Sequence, residues 1–151
     1  MKIILKKLID PRCLIKLPSI IKFHLIRFYH EKILFKTATK KTIFTSIWRS
    51  NYWGNAESLS GVGSTLVQTE DLRKKIPVMF YEFGIKSVFD APCGDMNWMR
   101  HLLNHVDIMY LGGDIVGELI KKNNGEYSNQ KVKFLQFDTH CARLREGLVD
   151  Q

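Results

Sequence analysis

The sequence predicts an α/β fold built on a parallel β-sheet. Three short apolar segments, at 87–90, 108–111 and 132–137, are bounded by glycine, proline or aspartate, which is typical of buried strands. The two segments between them, 97–105 and 116–124, have the length and apolar spacing of helices. A β-α-β-α-β order predicts parallel strands joined by right-handed crossovers. Ligands of such sheets bind at the carboxyl ends of the strands.

The composition excludes several classes of protein. The chain has 151 residues, of which 45% are hydrophobic and 25% charged, so it is neither a disordered chain nor a disulfide-dense miniprotein. Its three cysteines, Cys13, Cys93 and Cys141, lie far apart and form no C-x-x-C pair. We therefore expect reduced thiols and no metal site.

The net charge of +8 is concentrated in an N-terminal arm, residues 1–41. This arm contains eleven basic and two acidic residues, whereas residues 42–151 contain 12 basic and 13 acidic ones. A nearly neutral body disfavours a broad nucleic-acid surface, so the sequence gives no strong nucleic-acid signal.

The arm is also rich in apolar residues, and Ser19, which follows Pro18, is expected to cap a helix that extends to about Lys36. Charged residues interrupt the apolar runs too often for a membrane span or a secretory signal, so we expect a cytoplasmic protein. Three functions for the arm stay open. The favoured one is packing on the body or on a partner, followed by peripheral membrane contact and then nucleic-acid binding.

Residues 42–84 are expected to form a loop and helical lead-in to the sheet. The glycines in 57–65 predict a loop in which Glu57, Ser60 and Ser64 either cap a ligand pocket or simply face solvent. A helix is predicted to begin at Thr69 and to end at Gly84.

Three carboxylates mark the carboxyl ends of the three predicted strands: Asp90, Asp114 and Asp138. In the loop 90–95, Gly94 allows a ligand to approach the backbone closely, and the next helix directs its N-terminal amides to the same place. Asp114 lies 20 residues after Gly94, the spacing at which an acidic residue reaches a ribose hydroxyl in a nucleotide-binding βαβ unit.

These segments resemble the N-terminal half of class I S-adenosyl-L-methionine-dependent methyltransferases, which have a Rossmann-like fold. Val88–Asp95 resembles the first motif of that family, Tyr110–Ile115 the second and Phe134–Asp138 the third. The run Asp90–Met99 and the upstream segment Glu57–Thr65 are similar to a bacterial subgroup of these enzymes. The resemblance extends over roughly residues 50 to 138.

The resemblance implies a cofactor site for S-adenosyl-L-methionine. Asp90 and Gly94 would form a wall around the methionine moiety, together with the other loop residues. Asp114 would accept hydrogen bonds from the ribose hydroxyls and Asp138 from the adenine amino group, with Phe137 or Ile115 packing near the ring. The implied cofactor-binding residues are Asp90, Ala91, Pro92, Cys93, Gly94, Asp95, Asp114, Ile115, Phe137 and Asp138. The catalytic residues and the methyl acceptor are not implied.

The resemblance ends after the third strand, whereas the family sheet has seven. We therefore expect residues 85–138 to be a partial cofactor-binding domain, residues 139–151 to be a tail unmatched in the family, and the chain to be a truncated product that is unstable and inactive alone. Two alternatives stay open. One is a non-enzymatic remnant or binding module that acts through the basic arm. The other is a nicotinamide-binding oxidoreductase, which needs a G-x-G-x-x-G run where only Gly94 is present.

Overall fold

The computed structural model of the chain describes residues 18–138. The first 17 residues of the predicted arm and the predicted unmatched tail, 139–151, lie outside this part. The chain divides into two compact units, one that ends at Gly54 and one that begins at Asn55.

The described part of the N-terminal unit is helical. Its first helix begins at Ser19, one residue earlier than predicted, because Pro18 and not Ser19 occupies the capping position, where it makes no side-chain bond. A π-helical turn interrupts the α-helix before its last residues. The elements are α1 (Ser19–Tyr29), the π-helical segment (His30–Leu34), α2 (Phe35–Thr37) and α3 (Lys40–Ser50).

Helix α3 was not predicted, because within the expected loop and helical lead-in, residues 42–84, a helix was assigned only from Thr69 to Gly84. Both of its ends carry local signals. The Thr39 hydroxyl accepts a hydrogen bond from the Thr42 backbone N–H at 3.3 Å, which caps the start. Asn51 ends the helix in the left-handed conformation, with φ of 46°. The helix therefore continues across the expected boundary between residues 41 and 42.

Aromatic side chains hold the N-terminal unit together. The ring of buried Tyr52 lies 4.9 Å from that of His30 and 5.8 Å from that of Phe35. The Tyr52 hydroxyl donates to the Glu31 carboxylate at 3.3 Å. These contacts join the π-helical segment to the chain that leaves α3.

None of the helices in residues 18–138 combines the length and the apolar composition that crossing a membrane requires.

The C-terminal unit is a three-stranded parallel sheet with helices, in the strand order β1-β2-β3. The predicted combination of helices with three parallel strands is thus confirmed. Its elements are a 3₁₀ turn (Val62–Ser64), α4 (Glu70–Glu82), β1 (Ser87–Asp90), α5 (Met99–Leu103), β2 (Met109–Asp114), α6 (Gly117–Tyr127) and β3 (Val132–Gln136).

Strand β2 is longer than predicted, because Gly112 and Gly113 lie within it instead of ending it. A Cβ on Gly112 would lie 2.6 Å from the Phe134 ring. A Cβ on Gly113 would lie 3.0 Å from the Phe89 ring. These glycines therefore make room for phenylalanines of the flanking strands, a packing role that a reading of local turn signals misses.

The two faces of the sheet differ in burial. Val132, Phe134 and Tyr110 are buried on one face, where the helices contribute Met99, Leu102 and Ile120 to the core. Side chains that alternate with these remain accessible on the other face, where Phe89 is 46%, Met109 51% and Leu135 36% exposed. The sheet thus presents one packed face and one accessible apolar face.

Helix α4 ends at Gly84, as predicted. The Ile85 N–H donates to the Phe80 carbonyl at 2.9 Å, and the Gly84 N–H donates to the Tyr81 carbonyl at 3.2 Å. With a φ of +62° at Gly84, this is a Schellman motif. The helix predicted over 116–124 continues to Tyr127 as α6, so Gly125 lies inside it and does not end it.

The two glycines should respond oppositely to the same substitution. Gly84→Ala places a side chain at positive φ and should lower the free energy of unfolding by about 1 kcal/mol. Gly125→Ala introduces a better helix former where nothing lies within 4 Å, and should raise it by about 0.5–1 kcal/mol. Urea unfolding of both variants measures the difference, and shifts of the same sign would contradict the assignment.

Candidate functional site

The loop after β1 is fixed to β2 and α6 by its own backbone. The Cys93 N–H donates to the Gly113 carbonyl at 2.8 Å, and the Gly94 N–H donates to the Asp114 carboxylate at 3.2 Å. The Gly94 carbonyl accepts from the side-chain amide of Asn123 at 2.9 Å. The loop that the sequence singled out is therefore held at successive residues, close to the carboxyl ends of β1 and β2.

Gly94 is required here for two independent reasons. Its φ of +60° is one that other residues rarely adopt. A Cβ at this position would also lie 2.5 Å from the Ser60 hydroxyl. The expectation was that a ligand approaches Gly94; in the structure the group next to it is a side chain of the 57–65 loop.

The Asp95 carboxylate anchors that loop. It accepts hydrogen bonds from the Leu59 N–H at 2.7 Å, from the Ser58 hydroxyl at 2.9 Å and from the Ser60 hydroxyl at 3.1 Å. The Asp95 N–H in turn donates to the Ser60 hydroxyl at 3.0 Å. Asp95, expected to face a cofactor, directs its carboxylate to this loop.

Glu57 and Ser64 connect the same loop to Asn97. The Asn97 side-chain amide donates to the Glu57 carboxylate at 2.7 Å and to the Ser64 carbonyl at 2.9 Å. The Leu66 N–H also donates to Glu57 and, with Asn97, lowers the pKa of that carboxyl. The loop 57–65 therefore packs on the loop after β1, instead of being a free surface loop.

Asp114 lies at the end of β2 and is 7% exposed. One carboxylate oxygen accepts from the Val116 N–H at 3.0 Å and the other from the Gly94 N–H. Burial raises the pKa of this carboxyl, while these backbone hydrogen bonds lower it, and the rise prevails.

Asp90, at the end of β1, is half-buried and accepts a hydrogen bond from the Tyr110 hydroxyl at 2.7 Å. Burial raises the pKa of Asp90, and the charge of Asp114 raises it further. The hydrogen bond from Tyr110 lowers this pKa but does not cancel the rise. Two partly desolvated carboxylates thus share one edge of the sheet.

Cys93 is buried beside these carboxylates. Burial raises the pKa of its thiol to about 12, and the negative charges of Asp114 and Asp90 add to the rise. The thiol is therefore protonated at neutral pH and is a poor nucleophile.

The remaining predicted residues follow β2 and β3. The Phe137 N–H donates to the Asp114 backbone carbonyl at 2.9 Å, and the Phe137 ring meets Phe89 edge-on at 5.0 Å. Ile115 is half-buried, and its carbonyl accepts from the Gln136 side chain. The structure brings Asp90, Gly94, Asp114 and Phe137 to one edge of the sheet.

Three further predicted residues contribute less to this geometry. Ala91 is half-buried, Pro92 is exposed after a cis peptide bond, and Asp138 lies two residues beyond the end of β3.

Sequence reasoning missed Tyr110 and Asn123. Tyr110 had been assigned only to a strand, and its contact with Asp90 depends on pairing between strands. Asn123 is fully buried in α6 among Leu119 and Ile120. A polar residue in an otherwise apolar helix stripe was a signal for it.

In residues 18–138 no group of three or more histidine, cysteine or acidic side chains is placed to hold a metal ion.

No family model, characterised protein or solved structure matches the chain. The family resemblance of its motifs therefore depends on the residues of this chain alone.

The raised pKa of Asp90 predicts a stability that depends on pH. Between the ordinary value of 3.8 and the raised one, the folded state binds more protons than the unfolded state. Stability should therefore fall as pH rises through this interval, by at most about 1.4 kcal/mol per pH unit for this group. In Asp90→Asn, which can still accept from Tyr110, urea unfolding between pH 4 and 7 should show a shallower fall. The exposed Asp71→Asn serves as control, and an unchanged slope in Asp90→Asn would contradict the interpretation.

The Asp95 contacts predict a local effect of removing its carboxylate. Asp95→Ala should release the loop, so that the amides of Leu59 and Ser60 exchange with deuterium at least about tenfold faster. Amides of β2 should be little affected. Asp71→Ala, which removes an exposed carboxylate paired with Lys75, is the matched control. Equal exchange at Leu59 in wild type and Asp95→Ala would show that other contacts hold the loop.

Proposed function

We propose that the C-terminal unit, over residues 55–138, is the S-adenosyl-L-methionine-binding part of a class I methyltransferase with a Rossmann-like sheet. The observation that carries the proposal is the position of the Asp114 carboxylate, at the end of β2 and 3.2 Å from the Gly94 N–H of the loop after β1. An acid at the end of the second strand, beside a glycine loop after the first, is the arrangement that binds a nucleoside in parallel sheets.

The carboxylate of Asp114 keeps the capacity to bind a ribose. One oxygen accepts from the Val116 N–H and the other from the Gly94 N–H, and the Ile115 amide also acts on the carboxylate. The two oxygens together have about four lone-pair directions, which leaves capacity to accept from a hydroxyl. The backbone bonds fix the orientation of the carboxylate before a ligand arrives, which lowers the entropic cost of binding.

Charge supports a cationic ligand at the same edge. Burial raises the pKa of both Asp90 and Asp114; the charge of Asp114 raises that of Asp90 further, whereas Tyr110 lowers that of Asp90 and backbone amides lower that of Asp114. A sulfonium group carries a positive charge and would stabilise the ionised carboxylates. S-adenosyl-L-methionine combines that cation with a ribose diol.

An aromatic wall is available for the adenine ring. Phe137 packs on Phe89 and follows β3, and Asp138 comes next in the chain, so an acceptor for an exocyclic amine lies beside a ring that can stack. Ile115 comes directly after Asp114, the last residue of the neighbouring strand β2. The half-buried state of Phe137 leaves part of its surface accessible.

The proposed reaction makes limited demands on these residues. Methyl transfer needs the acceptor nucleophile in line with the methyl group, which is a matter of positioning. Asp90, Gly94 and Asp114 would hold and orient the cofactor, while a methyl acceptor stays unassigned. The rigid loop after β1 suits this role, because a displacement of about 1 Å can cost roughly 100-fold in rate.

Binding of S-adenosylhomocysteine to the full chain tests the proposal by calorimetry. The wild type should bind it and should not bind NAD, the ligand of the alternative oxidoreductase. Asp114→Asn loses the charge that strengthens the ribose bonds and should weaken binding roughly 10- to 100-fold. Asp107→Asn, which removes an exposed carboxylate paired with Lys131, should leave binding unchanged.

Two outcomes would reject the cofactor assignment. One is binding of NAD without binding of S-adenosylhomocysteine. The other is an Asp114→Asn variant that keeps its fold by circular dichroism and binds S-adenosylhomocysteine as tightly as the wild type.

A further inference from the structure

The N-terminal unit exposes large apolar side chains, including Phe35 and Trp53, whose rings also contact Tyr52 of its core. Its described part is residues 18–54, and its core contains His30, Leu34, Ile47 and Tyr52. Apolar side chains outside this core are exposed to between 40% and 66%: Ile20, Ile21, Phe28, Phe35, Phe44 and Trp53. Ile20, Ile21 and Phe28 lie within about 100° of one another around α1, so one side of this helix is an exposed apolar face.

The charge of the same segment is almost entirely positive. Residues 18–54 contain seven basic residues and a single acidic one, Glu31. Glu31 is already engaged, since it pairs with Arg27 at 3.2 Å and accepts from the Tyr52 hydroxyl. Residues 18–54 therefore carry a net charge of +6 (7 − 1), which suits an anionic partner.

The C-terminal unit provides the contrast. Residues 55–138 contain nine basic and eleven acidic residues, although they too expose apolar side chains such as Val67 and Phe83. The combination of exposed apolar groups with unbalanced positive charge thus belongs to residues 18–54.

We propose that residues 18–54 bind the surface of a lipid bilayer that contains anionic lipids. Ile20, Phe28 and Phe44 enter the boundary between headgroups and acyl chains, and lysines such as Lys22 and Lys36 contact the anionic headgroups. No helix in residues 18–138 has both the length and the apolar composition of a membrane span, so the proposal places this segment along the interface.

The apolar component favours a bilayer over a nucleic acid. Phosphate backbones attract lysines, and aromatic rings can stack on bases, but the aliphatic Ile20 and Ile21 would gain nothing from stacking. Among the large apolar side chains of residues 18–54, Ile20 is also the most exposed, at 66%. A bilayer interface uses both kinds of group at once.

Co-sedimentation of the full chain with vesicles tests the proposal. The chain should sediment with vesicles of phosphatidylcholine and phosphatidylglycerol, and at least about tenfold less with phosphatidylcholine alone. Trp53, which is 50% exposed, should show a blue-shifted emission on binding. High salt should weaken the interaction, because screening reduces the attraction between lysines and headgroups.

Paired variants separate the two contributions. Ile20→Ser with Phe28→Ser should reduce vesicle binding roughly tenfold or more, whereas Val67→Ser with Phe83→Ser, at comparably exposed positions of the other unit, should not. Lys22→Gln with Lys36→Gln should reduce it about 25-fold, at about fivefold per lysine. Lys121→Gln with Lys122→Gln, two exposed lysines of α6, is the matched charge control.

Equal binding to neutral and anionic vesicles would overturn the proposal, and so would equal losses of binding in the control variants. A third contrary result is a chain that does not bind vesicles but binds duplex DNA or RNA, with an affinity that Ile20→Ser with Phe28→Ser leaves unchanged.

Light scattering measures whether the chain instead binds a second copy of itself. A dimer that dissociates in the Ile20→Ser, Phe28→Ser variant without any vesicle binding would assign the surface to self-association instead. Circular dichroism confirms that each variant is folded.

Discussion

The absence of a side chain at Gly94 is the constraint on which the candidate site depends. Three segments meet this residue: Asp114 accepts its N–H, Asn123 donates to its carbonyl, and the Ser60 hydroxyl occupies the space where a Cβ would be. Each contact requires the positive φ of Gly94, because that conformation turns the N–H toward β2 and the carbonyl toward α6. The loop after β1, the end of β2 and the 57–65 loop are therefore positioned as one assembly.

This assembly places carboxylates where they are poorly solvated. Burial is the first cause of the raised pKa of Asp90 and of Asp114, and Cys93 between them is a neutral thiol that adds no compensating charge. Hydrogen bonds from Tyr110 and from two backbone amides offset part of the cost. Burial destabilises the ionised form of these carboxylates, because they have lost interactions with water. A cation beside them would replace those interactions, so the arrangement favours a cationic ligand. The pH dependence of stability and the proposed affinity for a sulfonium thus share one cause.

The sequence predicted the strands better than the contacts between them. Strand β1 has its predicted bounds, because Gly84 before it and Pro92 after it are strong local signals. The end of β2 was wrong, since Gly112 and Gly113 serve Phe134 and Phe89 on neighbouring strands, and no local pattern reports a partner so far along the chain. Likewise Asp95 was expected beside a ligand, but its partners are 35 to 37 residues away in the 57–65 loop. Helix α3 was not predicted, although Thr39 and Asn51, the residues that cap its two ends, are both of types that favour these positions.

The accessible face of the sheet connects folding with the proposed cofactor. Strands in parallel sheets are usually covered on both faces, yet Phe89 is 46% and Leu135 36% exposed on this one. Phe89 is also the residue on which Phe137 packs, so the aromatic wall proposed for adenine is built on the less protected side of the sheet. A ring that stacks on Phe137 would remove apolar surface from water at this place, and it would do so only in the folded state. Ligand binding at this edge should therefore stabilise the folded C-terminal unit by mass action, because the ligand would cover apolar surface that the sheet leaves accessible.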